Sequence, residues 1–461
     1  MKLLPAILLM LCHPAAFGQW VHRTDVGNPG QRTAFAMAYD KDRGVTVFFG
    51  GEIGDGGDET FYHDTWEYDG SHWQQIAITG PVPDTRSGSA MCYDTVRHQM
   101  ILAGGVNEDG YLRDTWTYKP TGPQHGQWTR RVDLPAVAIG FSPGVAGHAM
   151  YFDEAAGVAV LTGGSSLNTL WAAHGWDARK ILYQILTFDG TSWSSVPVNM
   201  IHGLTRHAMA YDSAHHRVVI LGGNSFAHSP TFQQMNDATF DPEQPHYLEH
   251  VSGEISTIEI SRWPLEIRGY GSGPAFLDNG TQQSAMAYDQ VRDRFVIFGG
   301  QNGDRPYADR TQELKGFPEY YTQPPGYYPV YGNTLGDPYH RMQDLQLALH
   351  PPARAGHAMV YDARRRVTVL YGGASGSTRF DDTWELITAP ATGPVWVDTG
   401  FQGGGNFGTP DFPFQSLQEA LAAHAGGDLL LKGPRVSSQR ITITRPMTLR
   451  AVGGAVVLGQ P

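Results

Sequence analysis

One pattern constrains this chain more than any other. The string Ala-Met-x-(Tyr/Phe)-Asp occurs six times, at Ala36–Asp40, Ala90–Asp94, Ala149–Asp153, Ala208–Asp212, Ala285–Asp289 and Ala358–Asp362. Ten residues after each Asp stands a glycine pair: Gly50-Gly51, Gly104-Gly105, Gly163-Gly164, Gly222-Gly223, Gly299-Gly300 and Gly372-Gly373. A fixed internal offset held through six copies marks a repeated supersecondary unit that buries its faces only against its neighbours.

Each unit reads as a hairpin. The Ala-Met segment is one strand, the Asp opens a turn, and a β-branched and aromatic run follows, as in Val45–Phe49, Val218–Leu221 and Phe295–Phe298. These runs do not alternate with polar residues, which predicts strands covered on both faces. The paired glycines supply backbone freedom where the chain turns against a crowded neighbour. A third strand is expected at Asp64–Tyr68, Asp114–Tyr118, Leu186–Phe188, Asp237–Phe240, Asp344–Leu347 and Asp382–Leu386, and a fourth from Trp73, Trp128, Trp193 and Tyr247. The abundance of Gly (56) and Pro (30) suits many short strands joined by tight turns.

A Gly-Gly pair, then a Tyr or Trp strand, then an outer Trp strand resembles the kelch family over residues 19–395. The resemblance implies an all-β fold, a six-bladed kelch-type β-propeller. Trp20-Val21 looks like a fourth strand without partners in its own repeat, and the sixth copy lacks a fourth strand before Pro390. The N-terminal strand is therefore expected to complete the last blade and remove an open edge.

The ends read differently. Met1-Lys2, the apolar run Leu3–Leu11 and the small residues of Ala16-Phe17-Gly18 predict a signal peptide over residues 1–18 and a mature start near Gln19. That run is shorter than the about 20 residues a membrane span needs, and no later segment is apolar enough. A secreted or periplasmic protein, bacterial in character, not membrane-spanning and monomeric, is expected. Of two cysteines, Cys12 falls in the leader, so Cys92 has no partner for an internal disulfide. The net charge of −12 argues against nucleic acid as a partner. After Pro394 the composition changes. Residues 396–461 carry a capping box predicting a helix from Ser416 to His424, with Glu419 closing it, and strand-like pieces at Leu429–Lys432, Ile441–Thr444, Met447–Ala451 and Val456–Leu458. This segment resembles the start of a pectate-lyase-like right-handed parallel β-helix. It is shorter than the about three coils such a stack needs, so either more coils are expected beyond it, the favoured reading, or the segment docks on the propeller.

Three groups carry candidate chemistry. Arg32, Arg86 and Arg354 each precede an Ala-Met by four residues; by resemblance to kelch propellers they face a central pocket as a positive arc, suited to uronic acids or acidic peptides. The alternative for each is an ion pair with a turn carboxylate or a bond to a loop carbonyl. His148, His207 and His357 each immediately precede an Ala-Met, and their shared environment favours a repeated role such as bonding a neighbouring blade's backbone. The insertion from Gln301 to Arg341 holds Tyr320, Tyr321, Tyr327 and Tyr328, amphipathic rings common at binding surfaces; Ser165–Lys180, with Trp171 and Trp176, is a weaker case of the same kind. Copper-radical oxidases of the galactose oxidase kind have a histidine about where His357 stands, but Gly356 replaces the ligand tyrosine before it and Cys92 lies within a core strand. No metal or cofactor is implied. These readings favour a non-enzymatic recognition protein for an extracellular glycan or protein, carbohydrate binding on one propeller face. The alternatives are a carbohydrate-active enzyme (a sugar epimerase or oxidase, or a lyase or hydrolase of β-helix type) and a structural surface protein.

Overall fold

In a computed structural model, the described residues are 18–54, 58–135, 144–167, 179–181, 185–196, 204–213, 217–226, 249–251, 254–260, 267–274, 282–301, 307–315, 343–345, 347, 349–388, 395–399, 417, 420, 427–433, 435–437, 447–454 and 456–458. The chain divides into two compact units, residues 20–386 and residues 387–461 with 1–19.

The larger unit is all-β, with its sheets in a β-propeller arrangement. Each Ala-Met strand is the first of an antiparallel sheet, and the run before each glycine pair is the second. In the first sheet Ala36–Asp40 pairs with Val45–Phe49, which pairs with Thr65–Tyr68 and then Trp73–Gln75. The second sheet repeats this with Ala90–Asp94, Gln99–Asn107, Gly110–Gly122 and His125–Arg130, and the third with Ala146–Asp153, Val158–Leu167, Ile185–Phe188 and Trp193–Val196. First strands of successive sheets pack side by side, and that of the sixth, Ala358–Asp362, packs against that of the first. The second strands are buried on both faces, as their unbroken apolar character predicts: Val47, Phe48 and Phe49 are closed to solvent, as are Ile101, Leu102 and Ala103.

Two sheets depart from expectation. The third strand of the fourth sheet is Glu254–Ile260, followed by Ile267–Pro274; the segments expected there, Asp237–Phe240 and Tyr247, lie outside the described residues. In the fifth sheet Thr311–Lys315 is the third strand, and Gln343–Leu345, expected in that place, is the fourth. The reason is side-chain chemistry. Thr311 and Glu313 supply the hydroxyl and carboxylate that Thr65 and Glu67 supply in the first sheet, and a long insertion carries the Asp344 segment outward by one place.

The N-terminal strand joins the last of these sheets. Gly18–Arg23 pairs with Thr383–Thr388 and is the outer strand of the sixth sheet. Trp20 is fully buried there, and its Nε1 donates to Thr311 Oγ1 of the fifth sheet at 2.8 Å. Trp73, Trp128 and Trp193 make the same bond to Thr383, Thr65 and Thr115 of the preceding sheets, at 2.9, 3.0 and 2.9 Å. Trp20 thus does what the other outer-strand tryptophans do. Arg23 adds an ion pair to the buried Glu385 at 2.5 Å.

In the smaller unit Val395–Val397, Gly427–Lys432 and Met447–Val452 form a parallel sheet, and Arg435–Ser437 pairs in parallel with Val456–Leu458. Val397, Leu429 and Leu431 are buried in it. Of the expected helix only Leu417 and Ala420 are described, both helical and buried; the expected strand at 441–444 lies outside the described residues.

Candidate functional site

The glycine pairs explain how the sheets are clasped. The first glycine has positive φ, and a Cβ at Gly104 would lie 2.5 Å from the Val145 carbonyl oxygen and 2.9 Å from Cε1 of His148, both in the next sheet. The N–H of the second glycine donates to that same carbonyl at 2.8 Å, and Gly51, Gly164, Gly300 and Gly373 make the equivalent bond.

Beside this clasp, a closed cycle of backbone hydrogen bonds runs around the axis. Ala34 N–H donates to Gly356, Gly88 to Ala34, Gly147 to Gly88, Arg206 to Gly147, Gln283 to Arg206 and Gly356 to Gln283, at 2.7–3.0 Å. All six residues lie in the left-handed region, with φ between 53° and 68°. Only this conformation turns both the N–H and the carbonyl along the cycle, which is why three of the six are glycine.

Polar side chains cluster at the rim of this cycle. Thr33 and Glu52 are joined by two backbone bonds of 3.0 Å, so Glu52 rises from the first sheet next to Ala34. Its Oε2 accepts from Ser87 Oγ of the second sheet at 2.6 Å. Burial pushes the Glu52 carboxyl up; Ser87 draws it down, Glu59 adds to the rise, and Arg206 and Arg379 lower it, with a net rise above the usual glutamate value. Arg379 donates to the carbonyls of Gly376 and Gly54, both at 2.6 Å. Arg206 is exposed. The Glu52 carboxyl, with raised affinity for its proton, thus holds the Ser87 hydroxyl in a hydrogen bond and feels the positive charge of Arg206 and Arg379. This arrangement can hold a polar ligand through charge-assisted hydrogen bonds.

The three arginines singled out by sequence lie elsewhere and are engaged. Arg86 and Arg354 are closed to solvent and Arg32 is 4% exposed. Arg86 grips Asp114 with both terminal nitrogens, at 2.6 and 2.7 Å, and reaches the Gly104 carbonyl at 3.0 Å. Arg354 does the same to Asp382, at 2.5 and 2.8 Å, and to the Gly372 carbonyl at 2.9 Å. Arg32 pairs with Asp64 and the Gly50 carbonyl. Each aspartate also accepts from a tryptophan two residues on: Trp66, Trp116 or Trp384. Burial raises the Asp114 and Asp382 carboxyls, but the arginine bonds and charge and the indole N–H outweigh it and hold both below the usual range. The guanidinium forks thus brace the first glycine of the pair against the third strand.

His148, His207 and His357 are buried in the third, fourth and sixth sheets, each standing over the first glycine of the preceding sheet. His148 Nε2 bonds the Ala103 carbonyl of that sheet at 3.1 Å, the repeated structural role that their equivalence suggests. The three do not converge. Among the described residues no group of three or more His, Cys, Asp or Glu stands where it could hold a metal ion. Tyr320, Tyr321, Tyr327, Tyr328, Trp171 and Trp176 lie outside the described residues. Sequence reasoning missed Glu52, Ser87, Arg206 and Arg379. A signal for Arg206 was available: the residue two before each Ala-Met is Gly in three repeats and Arg in only one.

No family model matches the chain, and no curated protein matches it. Among solved structures, that of YjhT matches with a TM-score of 0.51 at 14% identity, over 79% of this chain and 97% of that one. At this identity the likeness bears on the fold alone, and the class it defines is the β-propeller. Among the described residues, no helix is long and apolar enough to cross a membrane.

Proposed function

We propose that this chain is an exported recognition protein built on a six-bladed kelch-type propeller, which binds a glycan or protein at the axial rim. The six-membered backbone cycle and the shared Trp-to-Thr bond support the blade count and the closure by the N-terminal strand. In this reading residues 1–18 are a signal peptide and the parallel strands after residue 395 are the first coils of a right-handed β-helix.

The observation that carries the binding reading is the contrast between repeated and unrepeated polar groups. Arg32, Arg86 and Arg354 recur with the same aspartate and glycine partners, so the fold accounts for them; in the binding reading they position the clasp loops. Glu52, Ser87, Arg206 and Arg379 recur in no such pattern and gather at one rim. Purified mature protein on a glycan array, with the double variant Glu52→Gln/Arg206→Gly beside it, tests the reading. Selective binding lost in the double variant is expected, and equal binding by both proteins refutes the rim as the site.

One observation favours a carbohydrate-active enzyme as the second reading. Glu52 carries a raised proton affinity beside a hydroxyl and two arginines, a setting suited to general acid–base work. Turnover of array-positive sugars, followed by NMR and lost in Glu52→Gln, separates this from binding alone.

A further inference from the structure

We propose that Arg206 and Glu52, on opposite sides of the axial cycle, clamp a hydroxycarboxylate, with Arg206 taking the carboxylate and Glu52 a neighbouring hydroxyl. This rests on the recognition reading above and names the ligand chemistry of the same rim.

The cycle fixes the geometry. Counting either way around it, Arg206 stands three places from Ala34, so the two are diametrically opposed. Glu52 is tied through Thr33 to the Ala34 side. A ligand entering along the axis meets the arginine from one side and the carboxylate from the other.

Arg206 also occupies a position that works against it. At φ 56° its β-carbon bears a steric cost that Gly88, Gly147 and Gly356 escape at the equivalent places. Its backbone N–H and carbonyl serve the cycle as a glycine's would, so the cycle itself does not require the side chain. That side chain is exposed and makes no hydrogen bond among the described residues. The contrast with Arg86 and Arg354, whose forks are filled by aspartate, is direct. Arg379, the other rim cation, donates to two backbone carbonyls and braces the rim. Arg206 therefore presents its guanidinium fork to whatever approaches along the axis.

Glu52 has one oxygen on Ser87 and a second to offer. Enclosed without a protein partner at the same rim, Gln282 Oε1 is a further acceptor. Two acceptors beside one open guanidinium fit a ligand that pairs a single negative charge with hydroxyl donors. The carboxylates of Glu52 and Glu59 disfavour a dianion such as a phosphate monoester.

Calorimetric titration of the mature protein with D-galacturonate, its methyl ester, galactose and inorganic phosphate tests the clamp. Galacturonate should bind about tenfold or more tightly than the ester, galactose or phosphate, since each lacks the charge or the donors. Arg206→Gly should weaken galacturonate by about tenfold or more while unfolding at the same temperature as the parent or above it, because the left-handed strain is relieved. Glu52→Gln should weaken it several-fold. Wild-type binding that Arg206→Gly leaves unchanged overturns the clamp and leaves the recognition face standing. So does phosphate or the ester binding as well as the free acid, or no binding of galacturonate by a protein that still selects other glycans on an array. A protein that selects no glycan or protein at all overturns the wider reading as well.

Discussion

Replacing Trp20 with alanine tests whether a strand borrowed from the chain's beginning closes the propeller. The indole is fully buried, stands edge-on to Phe298 at 5.6 Å between ring centres, and packs with Met359, Leu370 and Trp384. Truncating a buried tryptophan costs about 3–5 kcal/mol. Leaving the Thr311 hydroxyl without its donor adds about 1 kcal/mol, so the whole loss is about 4–6 kcal/mol, a large part of the 5–15 kcal/mol typical of folded domains. Trp20→Phe keeps an aromatic ring but loses the N–H and part of the indole's volume, and should cost less than the alanine change, about 1–3 kcal/mol. Urea unfolding followed by circular dichroism measures both. Trp128→Ala is the control, since Trp128 is equally buried, donates to Thr65 and meets Phe49 edge-on at 5.1 Å, all within one continuous stretch of chain. If Trp128→Ala is strongly destabilising and Trp20→Ala shifts stability by less than about 0.5 kcal/mol, a typical surface value, the N-terminal strand does not hold the last sheet and the closure argument is wrong.

Other outcomes follow from the repeated contacts. Arg86→Met should destabilise by about 3–5 kcal/mol, because Asp114 is left buried without its cation; adding Asp114→Leu should restore part of that in the same urea titration. Gly104→Ala should cost about 3 kcal/mol, since its Cβ meets the Val145 carbonyl, whereas Gly80→Ala, with nothing within 4 Å, should lose only the left-handed penalty of about 1 kcal/mol. Stability should fall in acid in two stages. Burial holds His148 and His207 neutral, with pKa values lowered to about 4. The unfolded chain therefore binds more protons between about pH 4 and 6.5, and unfolding free energy rises with pH across that window. Burial raises Glu385, but Arg365 and Arg23 outweigh it and hold its folded pKa below the usual value; its contribution is full above about pH 4.3 and is lost as pH falls through the folded value. Unfolding midpoints from pH 7 to 3 check both stages. His148→Ser, which copies Ser89 and Ser284, should flatten the upper one, and Arg23→Ala the lower.

Much of this architecture was legible because its contacts are local or periodic. The Ala-Met strand, the Asp turn and the Gly-Gly pair fall within about fifteen residues of one another, and the orphan Trp20 strand matches the outer strands expected from Trp73, Trp128 and Trp193. What escaped was set by contacts between distant residues. Arg86 and Asp114 are 28 residues apart, as are Arg354 and Asp382, while Arg32 and Asp64 are 32 apart, so the ion pairs become visible only when strands one and three are placed together. Without that placement the sequence offers both a positive arc and an ion pair for each arginine, and does not name the aspartate that fills it. The third strands of the fourth and fifth sheets were misplaced for a related reason. In the fourth sheet a long insertion separates the third strand from its glycine pair, in the fifth the insertion follows the third strand, and Asp237 and Asp344 imitate the Asp-led motif that both third strands lack. The rim residues were hidden because Glu52 follows a glycine pair in one repeat, where Val106, Ser165, Gln301 and Ala374 stand in others, so no pattern marks it.

Three contact systems recur from sheet to sheet: the Trp-to-Thr bond at the periphery, the glycine clasp with its arginine brace, and the backbone cycle at the axis. A residue that recurs in one of these is explained by the fold, whatever its charge. A residue that interrupts one is not. Arg206 is the one charged residue of a cycle otherwise made of Gly, Ala and Gln, and Glu52 interrupts the small or neutral residues that follow the glycine pairs. Both interruptions face the same rim, from opposite sides. Independent departures from two separate repeats have no structural reason to fall together, and a shared ligand supplies one.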